Sequence, residues 1–156
     1  MTDMTKQGTE QSTEQSEDVR LELTLPSTPA YVGTARAFVA AAARHFGAEE
    51  EDVADLKVAV SEACSGAVRA IGAATEPFRL LVDAQPHELR VEILTPARPP
   101  IEEPVAEVDP DLPPGQFEEA VRATLINALF PEATFEHLDG GFSVRFAVSL
   151  IPPEPN

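Results

Sequence analysis

The chain has 156 residues, of which 27 are acidic and 11 are basic, so its formal net charge at pH 7 is −16. That charge argues against direct binding to nucleic acid, because an acidic surface repels phosphates. The sequence contains no apolar run of about 18 residues, so no membrane span is expected. The first residues, MTDMTKQGTEQSTEQSED, lack the basic start and apolar centre of a secretion signal, and we expect a cytoplasmic protein.

Cysteine and histidine usage argues against a metal site. The single cysteine, Cys64, lies among apolar residues, which predicts a buried thiol without an internal disulfide partner. The three histidines His45, His87 and His137 are far apart in the chain and show no zinc-ligand spacing. No Ser/His/Asp or Cys/His hydrolase motif is recognisable either.

The composition predicts one domain between two short tails. Residues 1–18 are polar with almost nothing to bury, which is typical of a disordered N-terminal tail. Residues 19–151 form a segment long enough to bury a core of its own. Residues 152–156, PPEPN, are predicted to be a C-terminal tail.

The first half of the domain is predicted to contain one strand and two helices. Apolar and polar residues alternate over Val19–Leu25, which indicates a half-buried strand ending at Pro26. Pro29 suits the first position of the helix that follows, and Gly47 suits its left-handed terminator.

The second helix, Glu50–Ile71, is the segment around which the other predictions are organised. Apolar residues at steps of three and four give it one continuous stripe, formed by Val53, Leu56, Val60, Cys64, Val68 and Ile71. Three acidic residues at its start suit the positive end of the helix dipole. Glu62 lies at the edge of the stripe, where a carboxylate is either simply solvated or directed into a cleft.

The second half is predicted to contain two hairpins. Strands over residues 76–83 and 88–94 are joined by a short connection that contains a proline. Strands over residues 133–138 and 142–151 are joined by an Asp-Gly-Gly turn, which is a strong hairpin signal.

A proline-rich segment and a third helix lie between the hairpins. Residues 95–114 hold seven prolines and five acidic residues, a density that breaks helices and strands and predicts a long loop. The helix is predicted to begin at Gly115 or Gln116 and to end before Pro131. Its predicted inner face consists of Phe117, Val121, Leu125, Ala128 and Leu129, with Ala120 and Thr124 beside them.

The order of elements predicts the fold class. One strand, two helices, a hairpin, a helix and a second hairpin indicate an α+β two-layer sandwich. Its helices would cover one face of a mixed, mainly antiparallel sheet.

With SEAC at residues 61–64 on the second helix, this order resembles the GHKL (Bergerat-type) ATPase fold. More narrowly, it is similar to the bacterial anti-sigma factors of the RsbW and SpoIIAB kind. The resemblance covers residues 19–151 and is sharpest over residues 55–70, DLKVAVSEACSGAVRA. The matching positions are Ser61, Glu62, Ala63, Cys64, Ala67, Val68 and Arg69.

The resemblance implies a partner switch. Such a protein holds a sigma factor, is countered by a STAS-domain anti-anti-sigma factor, and phosphorylates a serine of that antagonist with ATP. Glu62 would match the catalytic carboxylate that polarises the attacking hydroxyl. The same helix would supply the nucleotide-binding positions Glu62, Ser65 and Gly66.

The chain departs from the family pattern at three places that Mg·ATP requires. Gly66 stands where the family has a metal-binding asparagine, and Ala70 replaces the usual histidine. After the second strand of the first hairpin, LTPARPPIEEP lacks the expected Asp-x-Gly-x-Gly. Residues 113–116, PPGQ, stand in place of the glycine-rich lid, and prolines supply no N–H donors for phosphate. We therefore expect ATP binding to be weak or lost.

Three functions stay open at this point. The first is an anti-sigma-factor-like binding protein with no cofactor, whose acidic surface suits a basic sigma factor. The alternative is an active serine/threonine protein kinase of the same family that uses Mg·ATP. The third is a regulatory module that only forms a homodimer. The partner-binding surface is not assigned; candidates are residues 31–46, with Arg36 and Arg44, and residues 102–111.

Overall fold

Two layers make up the protein in the computed structural model, which describes residues 18–72, 75–97 and 107–150. One layer is a five-stranded sheet and the other contains the helices. A single 3-10 turn at Pro29–Tyr31 leads into the first helix. The elements are β1 Val19–Leu25, α1 Val32–His45, α2 Glu50–Ile71, β2 Phe78–Ala84, β3 Glu88–Thr95, α3 Pro114–Leu129, β4 Thr134–Leu138 and β5 Gly141–Ser149.

The sheet has the strand order β1-β2-β3-β5-β4. Each pair of neighbours is antiparallel, so the described strands contain no parallel pair, and the expectation of a mixed sheet is corrected in that detail. The register places Val82 opposite Val91 and Val91 opposite Phe146, and all three side chains are buried. The predicted α+β two-layer sandwich is confirmed.

The core lies between this sheet and the apolar stripe of α2. Leu56, Val60 and Cys64 are fully buried, as the helical spacing predicts. Burial raises the pKa of the Cys64 thiol to about 12, which keeps it protonated and unreactive at neutral pH. The expectation of a buried, unpaired thiol is confirmed.

Two turns occur where the sequence places glycine. Gly47 has a φ of 98° and ends α1, and the amide of Ala48 donates to the carbonyl of Ala43 at 2.9 Å. Gly140 has a φ of 79° in the turn between β4 and β5. Both positions need the left-handed conformation that glycine adopts without strain.

The third helix is turned differently from the prediction. Three residues of its predicted inner face, Phe117, Val121 and Leu125, are instead 37 to 40% exposed, and Ala128 is exposed as well. Its buried residues are Glu119, Ala120, Ala123 and Ile126. The prediction was wrong because apolar periodicity assumes that the largest apolar side chains face the core, whereas this helix buries two alanines, one isoleucine and one carboxylate.

Some predictions fall outside the described residues. The N-terminal tail lies there except for Asp18, together with residues 98–106 of the proline-rich segment and residues 151–156. The predicted domain boundaries therefore stay predictions. Among the described residues, no helix has both the length and the apolar character that crossing a membrane requires.

Candidate functional site

A small cavity lies where α2 and α3 meet the sheet. It is lined by one edge of α2, by the inner face of α3, and by strand residues that include Thr95 and Phe142. Its volume is about 40 Å³. A water molecule occupies roughly 30 Å³ in the liquid, and small-molecule pockets usually enclose about 300 to 1,000 Å³. The cavity is therefore of water size, far below the size of a nucleotide.

Small residues on α2 allow α3 to come close. The edge of α2 that lines the cavity presents Ala63, Gly66, Ala67 and Ala70, at the three- and four-residue spacing of one helix face. None of these side chains extends beyond a methyl group, so the helices approach through a shallow groove. That approach brings the charged residues of α3 against α2.

The carboxylate of Glu119 occupies the space beside Gly66. A Cβ atom added at Gly66 would lie 3.0 Å from Glu119 Oε1 and 3.1 Å from Oε2, closer than ordinary van der Waals contact. Glu119 is only 5% exposed. The volume that a side chain at position 66 would fill is thus taken by a group from α3.

Arg122 lies between two carboxylates at the same place. Its Nη1 donates to both carboxylate oxygens of Glu119 at 3.3 Å, and its Nε lies 3.7 Å from Glu62 Oε1. The Arg122 side chain is 18% exposed and that of Glu62 is 33% exposed. The carboxylate of Glu62 therefore faces a fixed positive charge of the protein itself.

A second ion pair joins the two helices at the rim of the contact. Arg69 of α2 pairs with Glu118 of α3, and about half of each side chain is exposed. We call Glu62, Gly66, Glu119 and Arg122 together with this rim pair the α2–α3 polar contact.

Burial has an electrostatic consequence for Glu119. Loss of hydration raises the pKa of its carboxyl group, although the neighbouring Arg122 guanidinium opposes that rise. The charged form of Glu119 is thus costly even with its partner in place.

The structure brings together two of the three predicted nucleotide-binding residues. Glu62 and Gly66 line the cavity, whereas Ser65 is not among its lining residues. Glu119 and Arg122 are not predictable from the motif on α2, because they lie more than 50 positions away on a helix whose orientation was predicted wrongly. The one sequence signal for them is the three-residue spacing of Glu119 and Arg122, which allows an ion pair on one helix face.

No metal site is evident in the part of the chain that the structure describes. It contains no group of three or more His, Cys, Asp or Glu residues placed to hold an ion. The two arginines proposed for partner binding are engaged between helices: Arg36 donates to Ser61 Oγ at 3.0 Å, and Arg44 donates to Glu50 at 2.9 Å.

Comparisons with curated proteins point to one group of relatives. Serine-protein kinase RsbW from Bacillus velezensis is 43% identical over 49 residues, which are 31% of this chain and 31% of that protein. RsbW from Bacillus licheniformis is 36% identical over 74 residues, which are 47% of this chain and 46% of the relative. The matched region thus spans less than half the length of each of these relatives.

A solved structure shares the fold. The crystal structure of the RsbU and RsbW domains of Rv1364c from Mycobacterium tuberculosis superposes with a TM-score of 0.60 at 19% identity, covering 88% of this chain and 35% of that one. The sequence profile of the histidine kinase-like ATPase domain matches residues 25–146. The resemblance to the GHKL fold and to its RsbW-type members is confirmed, and the chain belongs to the histidine kinase-like ATPase domain family.

Proposed function

We propose that this protein is an anti-sigma-factor-like regulator that binds an alternative sigma factor, is countered by a STAS-domain partner, and binds ATP weakly or not at all. Its kinship with RsbW supports the first two parts. One observation carries the third part: the Glu119 carboxylate lies in the space that a side chain at Gly66 would need.

The α2–α3 polar contact disfavours Mg·ATP for an electrostatic reason. The two carboxylates that line the cavity, Glu62 and Glu119, already share one cation, Arg122. A magnesium ion would have to displace that guanidinium and would then lack the side-chain ligand missing at Gly66. The residues present do not fit the metal–nucleotide complex of the family.

The phosphate-binding part of the site is also missing from the described residues. The α3 helix begins at Pro114, directly after Pro113, so these two positions supply no N–H group to an anion at its start. Only Gly115 remains of a glycine-rich segment there. The acidic side chains of Asp109 and Asp111 add repulsion toward a triphosphate.

The charge of the chain supports a basic protein partner. A net charge of −16 produces a negative field that attracts cationic surfaces and speeds their association. Sigma factors carry basic surfaces that face DNA, so an acidic regulator suits them. We propose that binding, rather than phosphoryl transfer, is the activity of this chain.

Isothermal titration with Mg·ATP tests the loss of nucleotide binding. We expect no saturable heat at millimolar nucleotide, whereas a Bacillus RsbW titrated in the same buffer serves as the positive control. A dissociation constant in the micromolar range for this chain would contradict the proposal.

A binding assay tests the partners. Sigma factors and STAS proteins of the source organism are purified and tested singly against the immobilised protein, and then in competition. We expect one sigma factor to bind and one STAS protein to displace it. If neither class binds, the anti-sigma proposal fails; sedimentation velocity then measures the homodimer that the third hypothesis expects.

The second candidate function is an active serine/threonine kinase. It is favoured by Glu62, whose side chain stays one-third exposed at the edge of the cavity, as a catalytic carboxylate must. In that case Glu62→Ala abolishes phosphate transfer to a STAS serine, and the exposed Glu51→Ala variant keeps it. Absence of transfer by the wild-type protein dismisses this candidate.

A further inference from the structure

The outward face of α3 is apolar in a way that ordinary packing does not explain. Phe117, Val121 and Leu125 follow one another at four-residue steps, so they form one line along the helix. Each is 37 to 40% exposed, while the charged Glu119 on the opposite side is 5% exposed. An amphipathic helix normally shows the reverse arrangement. We call these three residues the α3 stripe.

The α2–α3 polar contact holds the helix in this orientation. Rotating α3 to bury the stripe would pull Glu119 out of the space beside Gly66. The same rotation would break the ion pair of Arg122 with Glu62. The helix therefore keeps three neighbouring large apolar residues facing outward, and contiguous exposed apolar residues typically mark interaction sites.

The segments on both sides of α3 in the chain are acidic. Exposed carboxylates precede the helix at Asp109 and Asp111 and follow it at Glu132, whereas that of Glu118 on the helix is paired with Arg69. The single cation of α3, Arg122, faces inward between Glu62 and Glu119 and is therefore neutralised. An apolar line between acidic segments is complementary to an apolar line that has basic residues near its ends.

We propose that the α3 stripe is a docking surface for a cationic amphipathic helix of a partner protein. From Phe117 to Leu125 the line covers eight residue steps, or about 12 Å at the rise of an α-helix, so it matches two to three turns of a partner helix. The partner helix inserts apolar side chains along this line, and its lysines and arginines face the acidic residues that precede and follow α3. The inference does not require that the partner be a sigma factor.

A designed peptide provides a direct probe. The test peptide is a fluorescein-labelled helix of about 14 leucine, alanine and lysine residues, with leucines at four-residue steps and lysines beside them. The first control has the same composition in scrambled order, and the second has glutamate in place of lysine. In fluorescence anisotropy the test peptide is expected to bind at micromolar concentration, with both controls about tenfold weaker or more.

Two matched valine variants locate the binding surface. Val121 on α3 and Val58 on α2 are both helical and similarly exposed, at 40 and 42%. Val121→Lys is expected to weaken binding of the test peptide by about tenfold, because it places a positive charge within the stripe, where it repels the lysines of the peptide. Val58→Lys is expected to leave it unchanged. Leu125→Gln provides the same comparison if Val121→Lys does not fold, as judged by circular dichroism.

The outcomes are decisive in each direction. Equal binding of the helical and scrambled peptides would overturn the proposal, because attraction to the acidic chain as a whole would then explain it. Equal affinity of the Val121→Lys and Val58→Lys proteins would overturn it as well. Self-association that Val121→Lys abolishes, without peptide binding, would assign the stripe to a second copy of the chain. None of these results depends on the sigma-factor assay, so the two proposals fail separately.

Discussion

The two sides of α2 make contacts of opposite kinds. Toward the sheet, the helix presents Leu56, Val60 and Cys64, all fully buried against apolar strand residues. Toward α3 it presents Glu62 and Gly66, which meet charged side chains. The sheet contact gains its stability from apolar area removed from water. The α3 contact instead depends on Gly66, which has no side chain and so leaves space for the Glu119 carboxylate.

The two contacts also differ in how well they tolerate substitution. An apolar contact accepts other apolar side chains of similar volume at modest cost. A buried carboxylate needs its cation and its space at once, because an unpaired buried charge is costly. Substitutions at Gly66, Glu119 and Arg122 are therefore expected to lower the stability of the protein markedly. Gly66 provides the space, Glu119 is the buried carboxylate, and Arg122 is its cation.

The largest effect is expected in the sheet contact. Leu56→Ala removes a fully buried side chain at the centre of the core and should lower the free energy of unfolding by about 2 to 5 kcal/mol. Val58→Ala, two residues away but 42% exposed, is the control and should change it by about 0.5 kcal/mol or less. Urea unfolding followed by circular dichroism measures both. Equal losses would show that α2 does not use this side for its core.

The next largest effect is expected at Gly66. Restoring the family's asparagine, Gly66→Asn, forces a Cβ atom against the Glu119 carboxylate and should cost about 1 to 3 kcal/mol. Gly115→Asn is the matched control, because a Cβ there meets no atom within 4 Å. It should change stability by about 0.5 kcal/mol or less.

A double-mutant cycle decides whether Glu119 causes that cost. In a Glu119→Ala background the asparagine at position 66 has room, so the penalty of Gly66→Asn should shrink by about 1 kcal/mol or more. An unchanged penalty would mean that some other neighbour opposes the side chain.

The contrast between the two contacts also explains what could be predicted from the sequence. Periodicity fixed the ends of β1 and α2 correctly and identified the buried side of α2. Such predictions succeed where apolar area decides the packing. The prediction for α3 failed because the same rule assigned Phe117 to the core, whereas packing against Gly66 favoured Glu119.

The site could be predicted only in part for the same reason. SEAC at residues 61–64 identified Glu62, and comparison with the family pattern singled out the glycine at position 66. Nothing local could show that the vacant volume is filled by a residue of a distant helix. That information depends on how α2 and α3 approach each other, which only the three-dimensional structure specifies.

A pH series tests the electrostatic part of the α2–α3 polar contact. Because the pKa of Glu119 is raised in the folded protein, its favourable contribution is complete below the ordinary carboxyl value of 4.5 and is lost as pH rises through the folded pKa. Glutamine does not ionise, so the Glu119→Gln variant does not lose stability as pH rises through this range. The stability of the variant relative to wild type, from urea unfolding at successive pH values, should therefore increase with pH in that window and then level off.

Asp83→Asn provides a control of opposite sign. A hydrogen bond from Arg20 at 2.7 Å lowers the pKa of Asp83, so its contribution is present above the ordinary carboxyl value and is lost as pH falls through the folded pKa. The relative stability of this variant should decrease as pH rises. If Glu119→Gln behaved in the same way, pairing with Arg122 rather than burial would dominate at Glu119.

The smallest effect is expected at the rim pair. Arg69 and Glu118 are about half exposed, so hydration and salt screen their attraction, and Arg69→Ala should lower stability by about 0.5 kcal/mol or less. Arg122→Ala should cost more, because it leaves the buried Glu119 carboxylate without its cation. Urea unfolding at low and high salt distinguishes the two stability losses, since salt should reduce only the loss caused by Arg69→Ala. A larger loss from Arg69→Ala would place the strength of the α2–α3 polar contact at its solvated edge and not beside Gly66.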